Sequence, residues 1–146
     1  MKNYFIGFIA VFIFTFVSYH FWTAVNFDNI NYIKIAGQNI KVDLAMTPEA
    51  QVRGLSERIE LKANEGMLFV FDYSNKYSFW MKDMNFPIDI IRIGENLRVV
   101  YIKKDAQPES YPESYEPNQD AKYVLEVVAG FADKNNLREG DKVKFL

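Results

Sequence analysis

Two carboxylates sit inside otherwise apolar segments of this chain. Glu126 is embedded in Tyr123-Val124-Leu125-Glu126-Val127-Val128, and Asp89 in Pro87-Ile88-Asp89-Ile90-Ile91. Side chains alternate along an extended segment, so Glu126 shares a face with Val124 and Val128 while Tyr123, Leu125 and Val127 point the other way. Either face buries mostly hydrocarbon, where an isolated ionised carboxylate is too costly to persist. Each acid must therefore be paired, hydrogen-bonded or protonated. Candidate cations are Arg53 and Arg58, on either side of Gly54-Leu55-Ser56, and Lys82, which shares a strand face with Trp80 and Ser78. Three arrangements meet the demand. The ions can form an internal brace. They can line a small-molecule pocket made of Arg53, Arg58, Trp80, Lys82, Asp89 and Glu126, in which an aromatic platform beside fixed charges suits a sugar or an anionic group. Or Asp89 and Glu126 can act as an acid-base pair of the glycosidase kind, which depends on a separation the sequence does not give.

Other chemistries find no support. The chain has no cysteine, so disulfides, thiolate metal sites and thiol nucleophiles are excluded, and its single histidine, His20, lies in an apolar N-terminal segment. No Asp-rich loop of calcium-binding spacing, Gly-rich phosphate loop or Gly-x-Ser-x-Gly elbow is present, and Met67, Met81 and Met84 read as core fillers. Neither a metal nor a cofactor is expected. A net charge of -2 and a pI near 5.5 argue against a nucleic-acid partner, because such proteins carry the cations that neutralise a phosphate backbone.

The elements that must hold these residues are organised around Gly66 to Ile91. Met67 to Phe71 reads as a strand buried on both faces, followed by strands at Ser78 to Lys82 and Ile88 to Ile93. Upstream, Tyr32 to Ala36 and Ile40 to Ala45 form a hairpin around Gly37-Gln38-Asn39. Thr47-Pro48-Glu49 then starts a short helix ending near Leu55: the threonine caps free amides, proline tolerates the first position and glutamate meets the positive end of the dipole. Ser56 to Glu65 is a polar loop. Leu97 to Lys103 is a strand antiparallel to the Ile88 strand. Asp105 to Ala121 breaks the regularity with Pro-Glu-Ser-Tyr twice in succession, reading as an extended lid, partner-binding segment or strap. Tyr123 to Val128 returns to strand, Ala129 to Asn136 forms a second short helix, and Lys142 to Phe145 is a last strand. The expected fold is α+β, mainly antiparallel β: a barrel-like sheet of about seven strands with two short helices.

Residues 32–146 form this domain, behind a tether at 26–31 and an anchor at 1–25. Tyr4 to Val25 is 22 residues without Asp, Glu, Lys or Arg, long enough as a helix to cross roughly 30 Å of hydrocarbon. Tyr4, Tyr19 and Trp22 lie toward its ends, Lys2 precedes it and Asp28 follows, so the N-terminus is expected inside and the domain outside. Cleavage as a signal peptide is the competing reading, disfavoured by bulky Trp22 ahead of Ala24. His20 reads as a neutral interfacial ring.

The strings Arg53-Gly54-Leu55-Ser56, Gly66-Met67-Leu68-Phe69-Val70-Phe71, Phe79-Trp80-Met81-Lys82, Pro87-Ile88-Asp89-Ile90-Ile91 and Tyr123-Val124-Leu125-Glu126 with Ala129-Gly130 together resemble the DUF 192 domain, a family of uncharacterised membrane-associated proteins. The resemblance spans about Ile33 to Leu146. It implies a compact, mainly β domain with small helices, often behind an N-terminal signal or anchor, and implies no established activity. Where the family usually has Lys-Asn-Thr, this chain has Lys82-Asp83-Met84, which sets a negative charge beside the lysine. Some relatives carry cysteines before the Tyr-Val-Leu-Glu strand; this chain carries none.

The expected function is a single-pass, membrane-anchored extracytoplasmic module that binds a small polar ligand or an envelope protein and is not an enzyme. The alternatives are an enzyme acting on an envelope glycan through Asp89 and Glu126, and a structural accessory subunit of a membrane complex.

Overall fold

The computed structural model describes residues 27–146. The expected membrane anchor at 1–25 lies outside them, and among the described residues no helix is long and apolar enough to cross a membrane. The described residues are mostly β. Seven strands form one curled sheet, β1 (Tyr32–Ile35), β2 (Gln38–Ala45), β3 (Glu65–Asn75), β5 (Ile88–Ile93), β6 (Val99–Ala106), β8 (Ala121–Val128) and β9 (Val143–Phe145), in the order β6-β5-β8-β3-β2-β1-β9. A separate two-stranded ribbon pairs β4 (Phe79–Trp80) with β7 (Ser114–Tyr115). The short helices are α1 (Pro48–Arg53) and α2 (Phe131–Lys134).

Local chemistry accounts for most boundaries. The β1–β2 hairpin turns at Ala36 and Gly37, both at positive φ, so Gln38 and Asn39 belong to the second strand and not to the turn as expected. Two consecutive positive-φ residues give the turn whose twist matches that of the flanking strands. Thr47 caps α1 by accepting from the Ala50 amide at 3.2 Å, Pro48 opens the helix, and Gly54 ends it at φ 51. All pairings in the large sheet are antiparallel except β2–β3, which are parallel from Lys41↔Glu65 to Ala45↔Phe69. A parallel pair needs a crossover, and residues 46–64 provide it, carrying α1 and the Arg53–Arg58 loop across one face of the sheet. Gln51 fastens the crossover by donating to the carbonyls of Ala45 and Val70.

The sheet has a core on each face. Inside the curl, Ile33, Ile35, Ile40, Leu68, Ile91, Ile93, Leu125, Val127 and Val143 pack with Phe131 and Ala132 of α2. The curl draws its two edges together at one end, where Arg98 bridges Lys142 and the Val99 amide donates to Asp141. On the opposite face Met67, Phe69, Ile88, Ile90 and Val124 pack with Leu55, Leu61, Phe79 and Met81. That second layer consists of the crossover and the ribbon, and it houses the site. The segment expected as a strand from Ser78 to Lys82 thus forms two paired residues of a covering ribbon.

Candidate functional site

A cleft of about 510 Å³ opens between α1 and the ribbon, lined on one side by Gln51, Val52 and Arg53 and on the other by Tyr77, Phe79 and Trp80, with Phe69, Phe71 and Glu126 among its remaining lining. Its size falls within the range of small-molecule sites. The walls are aromatic and ordered: Phe71 stacks on Tyr77 with ring centroids 3.5 Å apart, and Phe69 meets Phe79 edge-on at 4.9 Å. At the mouth, Val52 and Trp80 are 68% and 48% exposed, large apolar surfaces left to solvent on either side of the opening.

Among the described residues, Glu126 is the one carboxylate that lines this cleft. It stands on the central strand β8, opposite Met67 of β3 and Ile90 of β5, and is 5% exposed. No hydrogen-bond donor or ion-pair partner reaches its carboxylate among the described residues. Burial pushes its pKa from the ordinary 4.5 up to about 8, against the opposing pull of Arg58 and Arg92. Desolvation wins because neither guanidinium touches the acid. At neutral pH the group is therefore a carboxylic acid, able to donate as well as accept a hydrogen bond. One glycine makes room beside it: a Cβ on Gly54 would meet the Phe69 ring at 3.3 Å and a Glu126 carboxylate oxygen at 4.0 Å.

The six residues expected to share a pocket divide. Glu126, Arg53 and Trp80 line the cleft together. Arg58 lines a shallower adjoining hollow with Arg53 and pairs with Asp43 at 2.7 Å. Lys82 keeps its side chain exposed outside the cleft, and the segment contributes through its backbone, the Lys82 carbonyl accepting from the Ser56 hydroxyl at 2.8 Å. Asp89 faces the other core. Its neighbours Ile88 and Ile90 belong to the cleft-side layer, so alternation turns Asp89 toward α2. There it accepts from the amides of Asp105 (2.9 Å), Gly130 (3.3 Å) and Ala132 (2.8 Å), tying an irregularity in β6 to the start of α2. The two acids occupy opposite faces of the sheet and do not form a pair, so the joint Asp89–Glu126 acid-base arrangement has no geometric basis here.

Arg92 was not among the expected residues, yet it is fully buried beneath the ribbon. It donates to the carbonyls of Tyr77 at 2.6 Å and Tyr115 at 2.9 Å, and lies 5.2 Å from the centre of the Phe79 ring. Burial lowers its pKa to about 10, partly offset by Tyr101 and Glu126, so it stays charged at neutral pH. With two carbonyls and an aromatic face it clamps both strands of the ribbon onto the sheet and so fixes one wall of the cleft. The sequence signal was available: Ile91-Arg92-Ile93 interrupts an apolar run as Asp89 does.

The family DUF192, described as "Uncharacterized ACR", matches residues 31–145. No curated protein matches the chain. Among solved structures, a protein of unknown function from Novosphingobium aromaticivorans is similar at 32% identity, with a TM-score of 0.74 over 79% of this chain and 84% of that one. A Sinorhizobium meliloti protein described as a "putative transcription regulator" is similar at 26% identity, with a TM-score of 0.73 over 78% of this chain and 90% of that one.

Proposed function

The chain belongs to the DUF192 family, whose description assigns no activity, and we propose from the cleft itself that the domain is a binding module for a small amphipathic molecule. The ligand's flat apolar body lies among Phe69, Phe71, Tyr77, Phe79 and Trp80, and its polar end reaches toward Arg53 and Glu126. The observation that carries this reading is the unpartnered carboxyl of Glu126, buried at the wall of an aromatic cleft. No described residue hydrogen-bonds to that carboxyl, and its oxygens are not sealed from the cleft, so a ligand lying there can exchange a hydrogen bond with it. Binding, not turnover, is the reading favoured, since the cleft offers one acid where a glycan-cleaving site uses two. The net charge of -2 supports a small-molecule partner over nucleic acid.

The module is held outside a membrane by Tyr4 to Val25, the uncharged 22-residue stretch whose length and flanking residues suit a spanning helix. The full chain is expected in the membrane fraction after alkaline carbonate washing. Recovery in the soluble fraction at full length would remove the anchor from the proposal.

A ligand-stabilisation screen of the full chain in detergent, against a library of small aromatic and aliphatic acids, amines, amides and sugars, tests the binding reading, because a ligand that fills a real cleft raises the melting temperature. Trp80→Ala, which removes a side chain already half in solvent, is expected to fold with a melting temperature within a few degrees of the parent and to lose most of the shift given by any hit. A flat response over the whole library would sink the proposal.

A further inference from the structure

The geometry points to a docking surface for the bilayer itself: the end of the sheet that carries α1 and the cleft mouth rests on the lipid headgroup layer, with Met46, Val52 and Tyr73 set into it. This rests on the spanning segment of the proposed function and is independent of what the cleft binds.

The chain enters the domain at that end. Phe27, the first described residue, places its ring 5.9 Å from that of Tyr123 inside the curl, and Tyr123 stands opposite Val70 of β3. On the other face of the sheet the Val70 carbonyl accepts from Gln51 of α1, as does the carbonyl of Ala45, the last residue of β2. Phe27 and α1 therefore cover the same end of β2 and β3 from opposite sides. The apolar stretch Tyr4 to Val25 ends just before Phe27, with only Asn26 between them, a reach of about 8 Å over the Cα steps involved. The headgroup layer is itself roughly 5–8 Å deep on each side of the hydrocarbon. A chain that leaves the hydrocarbon at Val25 thus has no length to carry this end clear of the headgroups.

The side chains found there suit that position. Met46 follows Ala45 and is 47% exposed, Val52 on α1 is 68% exposed, and Tyr73, on the stretch of β3 beyond Val70, is 64% exposed. They surround the cleft: Pro48 and Val52 line it, and the Tyr73 ring lies 6.3 Å from that of Tyr77, another lining residue. Exposed apolar side chains grouped at one end mark a contact with another apolar phase, and tyrosine rings favour the membrane interface. The opposite end is different in kind. Asp89 pairs with Val127 and so lies level with Gly66 at the start of β3; it holds α2, whose exposed residues are Asp133 and Lys134. Gln38 and Asn39, which begin β2, are exposed as well. The charged residues near the apolar rim, Glu49, Asp72 and Lys76, are of mixed sign, so the contact is made by apolar side chains and not by attraction to anionic lipid.

Because the chain has no cysteine, single cysteines report on single positions. Met46→Cys, Val52→Cys and Tyr73→Cys, with Gln38→Cys and Lys134→Cys at the far end, are made in the full chain, labelled with a nitroxide and reconstituted in phosphatidylcholine nanodiscs. Oxygen concentrates in lipid and a nickel chelate in water, so their relative collision rates with the label report its depth. The labels on the apolar rim are expected to show an oxygen-to-nickel ratio about threefold or more above those at the far end, unchanged when phosphatidylglycerol replaces part of the lipid. Equal ratios at all five positions, in a chain that stays in the membrane through carbonate washing, would overturn the docking and leave the anchor standing. Ratios that rise at the rim only when phosphatidylglycerol is present would overturn the apolar contact. A full-length chain washed out of the membrane would remove the anchor and the docking surface together.

Discussion

Replacing Glu126 by glutamine will stabilise the protein, and the gain will grow with pH. In the unfolded chain this carboxyl ionises near 4.5, whereas in the folded protein burial holds its proton up to about pH 8. Between those values the folded state binds one more proton than the unfolded state, so its stability falls as pH rises through the window. The contribution is fully present below about 4.5 and gone above about 8. One pH unit within the window corresponds to about 1.4 kcal/mol, so a loss on the order of 4 kcal/mol accumulates across it. Glutamine fills similar space and cannot ionise. The two proteins should therefore show similar urea midpoints at pH 4.5 to 5, with the variant ahead by about 4 kcal/mol at pH 8. Parallel stability curves for parent and variant over this range would mean that Glu126 is ionised in the folded protein.

Removing Arg92 will have the largest effect of opposite sign. Its guanidinium supplies the hydrogen bonds to the Tyr77 and Tyr115 carbonyls and the cation over Phe79. The ribbon it holds has only two residues in each strand, and an isolated hairpin of that length has no independent stability. Hydrogen bonds to a charged donor contribute about 1.5–3 kcal/mol each, so Arg92→Ala is expected to cost about 3–5 kcal/mol in all, including the volume left empty. Arg92→Met separates the causes by restoring apolar volume without donors. In that variant the large sheet should keep its amide-exchange protection while the ribbon loses most of its own, and any ligand found for the cleft should bind at least tenfold more weakly. A ribbon as well protected in Arg92→Met as in the parent would show that aromatic packing alone holds this wall.

The same physical rule, a charge inside an apolar run, singled out Asp89 and Glu126, and the structure gives them different fates. What separates them is register. Because β5 pairs with β8 so that Ile90 stands opposite Glu126 and Asp89 opposite Val127, the acids emerge on opposite faces, and no single-strand pattern contains that pairing. Asp89 is held by three backbone amides, and which amides a carboxylate meets is set by chain pairing that no local pattern carries. Arg92 obeys the rule equally, interrupting the apolar run of β5, but its partners are backbone carbonyls beside and within a ribbon that no local pattern marks. The helix start at Thr47-Pro48-Glu49 and the strands of the large sheet were legible, since capping chemistry and apolar runs are local.

The ribbon was not legible. Pro108-Glu109-Ser110-Tyr111 forms a short 3-10 turn, whereas the identical Pro112-Glu113-Ser114-Tyr115 supplies an extended strand. Four identical residues adopt two conformations because the second copy meets Phe79 and Trp80 across the ribbon and gives its Tyr115 carbonyl to Arg92. The parallel β2–β3 pair was equally hidden, as a connection the length of residues 46–64 serves either strand direction.

The reading of the cleft as a site built around a neutral acid turns on one proton, and that proton can be observed directly. Carbon-detected NMR of the Glu126 carboxyl, assigned by comparison with Glu126→Gln and followed from pH 4 to 10, is expected to give a midpoint near 8 that moves when a ligand occupies the cleft. A midpoint near 4.5, unmoved by ligand, would contradict both the neutral acid and the site built around it.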